Sequence, residues 1–124
     1  LKIDVNSLVP IYVQIANAIE DDILSGTLEE SGTCYSQLVI AKELTVNPAT
    51  AAKGINLLVG RGILEKQRGL AMIITPNAKK KIMNRRKNET FEKLVKDLVN
   101  TAKKLDLSQD YVLETIKKHY KEDK

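Results

Sequence analysis

Apolar residues return every three or four positions between Tyr12 and Ile23: Tyr12, Ile15, Ala16, Ile19 and Ile23 fall on one stripe. That period predicts a helix over Ile11 to Ser25. Pro10 suits its start and Gly26 its stop. Glu20, Asp21 and Asp22 lie largely off the stripe and are expected to face water. Ser36 can cap a second helix running to about Leu44, with Val39, Ile40, Ala41 and Leu44 on its inner face and Thr45 and Val46 in the following turn. Asn47 with Pro48 is a paired start signal for a third helix. Ala51, Ile55, Leu58 and Val59 should point inward there, and Ala49, Thr50, Lys53 and Asn56 outward. Gly62 should end it.

From Ile63 the period shortens. Ile63 to Gln67 and Met72 to Thr75 are strand-like runs, bridged by Arg68, Gly69, Leu70 and Ala71 at a hairpin tip. Pro76 marks the expected boundary between a domain over residues 1–76 and a helical tail over 77–124. In the tail Phe91, Leu94, Val95, Leu98, Val99, Ala102 and Leu105 recur at helical spacing. Ser108 can cap a last helix bearing Val112, Leu113, Ile116 and Tyr120. Two such helices cannot bury their apolar faces on each other alone, so a partner surface is expected, most simply the same region of a second copy. The fold class expected is mostly α with a small β-wing: a winged helix-turn-helix domain followed by two C-terminal dimerisation helices.

Charge modifies this picture. The 124 residues carry a net +4, but residues 1–75 sum to −2 and residues 76–124 to +6. The basic excess therefore lies outside the stretch that has the order of a reading head. Part of it is the run Lys79 to Lys87, which can either meet phosphates or serve as a solvated connector. Aromatic residues amount to one Phe and four Tyr with no Trp, which counts against stacking on single-stranded nucleic acid. No apolar run is long enough to span a bilayer, and the first residues lack a leader's basic and apolar pattern. Cys34 is the single cysteine, so an internal disulfide is excluded and a thiolate metal site is not expected. It reads as a small packing residue in a reduced, cytoplasmic setting. His119, the one histidine, sits among lysines and reads as solvated. No acid–histidine pair, glycine-rich phosphate loop or metal-ligand cluster is present, so no catalytic residue, cofactor or metal is expected.

Three segments together resemble the GntR family of bacterial transcriptional regulators: P-I-Y-V-Q-I-A-N-A-I from Pro10, I-A-K-E-L-T-V-N-P-A-T from Ile40 and R-G-I-L-E-K-Q-R-G-L-A-M from Arg61. The tail from Phe91, F-E-K-L-V-K-D-L-V-N-T-A-K-K-L-D-L-S, resembles that family's YtrA-like branch, which carries two short C-terminal helices in place of a large effector domain. The resemblance implies a dimeric repressor bound to a double-stranded operator with an inverted repeat, with no membrane attachment and a small-molecule effector left unspecified. It implies DNA contacts from Asn47, Ala49, Thr50 and Lys53 on the third helix and from Arg68 and Gly69 at the wing tip. Ser36 would cap the second helix and donate to phosphate. The chain departs from the family pattern at Leu38 and Ala52, where arginine is usual. Ala49 stands where a polar residue is common, and Gly54 where alanine is. These departures keep a second expectation in view, a winged-helix module that binds protein instead of DNA.

Overall fold

The structure is a computed structural model that describes residues 1–67, 69 and 71–122. It divides into two compact units, Leu1–Asn84 and Arg85–Lys124.

The first unit opens with α1 (Ile11–Leu24), α2 (Gln37–Leu44) and α3 (Pro48–Gly60). Each start has a local cause. The Ser36 hydroxyl accepts the Val39 N–H at 3.1 Å, and Asn47 Oδ1 accepts the Ala49 N–H at 2.8 Å, so both caps expected from the sequence form. The end of α3 is a Schellman motif around Gly62 at φ 77°. There the Gly62 N–H donates to the Val59 carbonyl and the Ile63 N–H to that of Leu58. Between α2 and α3 the chain turns through Thr45 at φ 53°, a left-handed conformation that a β-branched residue seldom adopts.

Strands β1 (Leu64–Lys66) and β2 (Met72–Ile74) pair antiparallel, with Leu64 opposite Ile74 and Lys66 opposite Met72. The loop before α2 joins them: Thr33 bridges Ile73, and the Cys34 N–H donates to the Met72 carbonyl at 2.9 Å. Three helices followed by this ribbon make a winged helix-turn-helix, as the change of period predicts.

The core draws on every element of this unit. Ile15, Ile19 and Ile23 of α1 meet Ile40, Leu58, Ile63, Leu64 and Ile74, all nearly inaccessible to water. Helix α4 (Ala78–Arg85) adds Ala78 and Ile82 to the same core. For that reason the first unit runs on to Asn84, past the pattern change at Pro76. Lys81 fastens α4 further, its ammonium donating to the Gly62 carbonyl at 3.1 Å and to Thr75 Oγ1 at 3.2 Å.

Three expectations about facing are corrected. Glu20 is fully buried, because Arg61 at the end of α3 reaches it with Nη1 at 3.2 Å from Oε2. Val39 and Val59 remain about 40% exposed. Val39 lies in the open first turn of α2, where Ile40 and Ala41 take the inner side, and Val59 faces a surface groove beside the wing.

The second unit begins with a π-helical stretch, Arg86–Phe91, followed by α5 (Glu92–Lys104) and α6 (Gln109–Glu122). The hydrophobic pattern gave no sign of the π-helical stretch, and Arg86 to Thr90 contain no apolar residue to define a face. Asp106 at φ 55° closes α5, with the Leu107 N–H donating to the Ala102 carbonyl. The Ser108 hydroxyl then accepts the Tyr111 N–H, so Ser108 caps α6 as expected.

Candidate nucleic-acid interface

Helix α3 shows two contrasting sides. Ala51, Gly54, Ile55 and Leu58 are buried. Gly54 is where α3 meets α1: a Cβ built there would lie 2.8 Å from Ile15 Cγ2 and 3.1 Å from the Tyr12 carbonyl oxygen. The departure from alanine at position 54 is thus a packing requirement, and it offsets the helix penalty of roughly 1 kcal/mol that glycine carries.

The outer side holds Asn47, Ala49, Lys53 and Asn56, all exposed, with Thr50 and Ala52 half-buried. Toward the wing this side borders an open groove of about 350 Å³, whose walls include Ser36, Gln37, Ala52, Asn56, Val59 and Lys66. Gln37 braces one wall by donating from Nε2 to the Pro48 carbonyl at 2.9 Å, which fixes the start of α2 to the start of α3. Tyr35 also lines the groove, but its hydroxyl is engaged, donating to Asp22 Oδ2 at 2.6 Å. Burial, and then that bond to a carboxylate, push the phenol up to about 12. Burial likewise pushes the neighbouring Cys34 thiol up to about 11, so it stays a neutral packing residue.

The described sequence-predicted residues therefore fall into four places. Ser36 stands at the groove, with its hydroxyl proton still available to donate. Asn47, Ala49 and Thr50 lie at the entry of α3, where Asn47 Oδ1 is occupied by its cap. Lys53 sits apart on the α1 flank, its ammonium 5.5 Å from the centroid of the Tyr12 ring. Gly69 is exposed at φ 70°, and Arg68 lies outside the described residues. Gln37 and Lys66 were missed as wall residues. For Lys66 a signal existed, since it is the exposed cation that ends β1 just before the hairpin tip.

In the second unit, Phe91, Leu94, Leu105 and Tyr120 are well exposed, and Val95, Leu98, Val99, Leu113 and Ile116 are close to 40% exposed. Val112 is half-buried, and Ala102 is the one expected interface residue that is buried within the unit. An open apolar groove runs between α5 and α6, lined in part by Val95, Leu98, Val99 and Val112. Among the described residues no helix is long and apolar enough to cross a membrane, and no three His, Cys, Asp or Glu side chains group to hold a metal.

No protein-family model matches the chain. A curated relative does: the HTH-type transcriptional repressor YtrA of Bacillus subtilis (strain 168), 33% identical over 79 residues. That match spans 64% of this chain and 61% of the repressor. A crystal structure assigned to a transcriptional regulator of the GntR family from Bacteroides thetaiotaomicron superposes with a TM-score of 0.75 at 26% identity, covering 92% of this chain and 99% of the other. The chain is thus similar to GntR-family regulators of the YtrA type. At the level of fold alone, the winged unit is also similar to the DNA-binding domain of AraR in complex with operator ORX1. That likeness has a TM-score of 0.54 at 22% identity, over 60% of this chain and 93% of the other. The GntR-type resemblance read from the sequence is thus supported over 92% of the chain in three dimensions, and its YtrA-like character over 79 residues of sequence.

Proposed function

We propose that the chain is a dimeric, sequence-specific DNA-binding regulator of transcription, acting as a repressor in the cytoplasm. One observation carries this reading. The exposed side of α3 and the wing border a single groove whose walls offer Ser36, Gln37, Asn56 and Lys66. Such an arrangement suits a helix in the major groove, a wing over the adjacent minor groove, and the phosphate backbone passing between them. The relatives support it, one being a repressor and another holding an operator. Residues 1–76 would form the reading head. Residues 77–124 would join two copies through Phe91, Leu94, Val95, Leu98, Val99, Ala102, Leu105, Val112, Leu113, Ile116 and Tyr120, giving an inverted-repeat operator by symmetry. An effector, where one acts, is a small molecule of unspecified class.

Duplex binding measured against salt tests the reading. Each phosphate contact contributes about 0.9 to the slope of log affinity on log salt. Lys53→Ala, Lys66→Ala and Arg68→Ala should each weaken binding, and a change that removes a phosphate contact should flatten the slope. Equal affinity of all three with the parent at low salt would overturn it. The second reading, a protein-binding winged helix, would then replace it. That reading is favoured by the exposure of Leu38, 72% accessible on α2 where a phosphate-binding arginine would be of use.

A further inference from the structure

The outer side of α3 also indicates which base pairs it can read. Resting on the DNA-binding reading, we infer that α3 recognises a short run of A·T pairs, with thymine methyls packed on Ala49, Thr50 and Ala52 and adenine hydrogen-bonded by Asn56. The argument is one of available chemistry. Guanine is read by Arg or Lys donors to O6 and N7, and cytosine by a carboxylate accepting from N4. The sequence of α3, P-A-T-A-A-K-G-I-N-L-L-V-G, contains no arginine, aspartate or glutamate. Its one cation, Lys53, holds its ammonium over the Tyr12 ring of α1 and is not among the residues lining the groove shared with the wing.

What the wing-side stripe offers instead is methyl groups and one amide. Ala49, Ala52 and Asn56 follow at i, i+3 and i+7, which places them on one line along the helix. Ala52 and Asn56 both border the groove shared with the wing. An alanine methyl packs on the thymine C5-methyl, and an asparagine amide pairs bidentately with adenine N6 and N7. Small side chains at positions 49 and 52 let the helix axis come close enough for the short Asn56 side chain to reach a base edge. From Ala49 to Asn56 the helix rises about 10 Å, or roughly three base-pair steps.

The test selects bound sequences from random duplex DNA with the full chain, then remakes the selected duplex with deoxyuridine in place of thymine. Each half-site should contain a run of about three A·T pairs. Each thymine methyl removed within that run should weaken binding about fourfold. Asn56→Ala, an exposed change that leaves the core intact, should reduce the preference for adenine at one position about tenfold with an unchanged salt slope. Ala52→Arg should move one selected position to guanine. Selection of a guanine-centred half-site, or deoxyuridine duplexes bound as tightly as thymine ones, would overturn this inference alone. Absence of any duplex binding at low salt would overturn the DNA-binding reading and this inference with it.

Discussion

The first unit and the tail use the same kinds of apolar residue at the same helical spacing and reach opposite outcomes. In α1, Ile15, Ile19 and Ile23 are fully buried, whereas in α5 Leu94 and Leu98 remain 61% and 42% exposed. The difference lies in how many elements converge. Three other helices and a ribbon enclose the first stripe, while among the described residues of the second unit α5 and α6 border an open apolar groove. An amphipathic pattern therefore specifies a face to be covered without specifying what covers it. The winged unit covers its faces with its own chain, and the tail leaves its stripe exposed, the face that the proposed dimer would cover.

The largest effect that would sharpen this comparison lies in the tail. Leu94→Asp combined with Leu98→Asp removes four leucines from a two-fold interface, at about 1.5–3 kcal/mol each. Dimer association should weaken by at least about a thousandfold in sedimentation, while thermal unfolding of the winged unit stays unchanged. A parent protein already monomeric at micromolar concentration would break the comparison.

Next in size is Glu20→Ala, which leaves Arg61 largely buried without its carboxylate. Because the Arg61 side chain keeps 15% exposure, the cost should fall near the lower end of the 3–5 kcal/mol typical of broken buried pairs. A chemical denaturation curve should show it, with dimer affinity unaltered.

Raising the pH acts on the same core through Cys34. Its thiol ionises near 11 in the folded chain and near 9 when exposed, so the unfolded chain loses its proton first. Stability contributed by the neutral thiol is present in full below pH 9 and falls through the window up to 11, by at most about 1.4 kcal/mol per pH unit. Cys34→Ala should lose that component of the pH dependence.

Gly54→Ala should cost about 1 kcal/mol net, the strain of crowding Ile15 outweighing the gain in helix propensity. A stabilised variant would mean that α1 and α3 separate more easily than their contact implies. Asn47→Ala should cost on the order of 0.5–2 kcal/mol by loss of its cap, and an unchanged denaturant midpoint would contradict that role.

How far the sequence could be read follows the same division. Helix starts were legible because Ser36, Asn47 and Ser108 act on N–H groups two or three residues away. The change of period at Ile63 announced the ribbon for an equally local reason. Glu20 was misread because its partner, Arg61, is brought to it only by the packing of α3 on α1. Gly54 looked like a defect for the same reason, since Ile15 is invisible at that distance along the chain. In the candidate interface, Ser36 could be placed as a cap and Asn56 from the wheel, but Gln37 and Lys66 join them only when the ribbon folds back beside α3. The DNA roles of Asn47, Ala49, Thr50, Lys53, Arg68 and Gly69 came from family resemblance and stand as proposals for the binding measurements.

The bridge from Thr33 to Ile73 has a bearing on solubility. Met72-Ile73-Ile74 is the kind of short apolar strand that, with a bare edge, recruits other chains into intermolecular sheets. Here β1 occupies one edge. On the other, Ile74 donates to the Gly32 carbonyl, and the N–H groups of Ser31 and Cys34 donate to the Ile74 and Met72 carbonyls. The loop before α2 thus works as a guard strand that covers the outer edge of β2 and leaves this apolar segment no bare edge through which to recruit another chain.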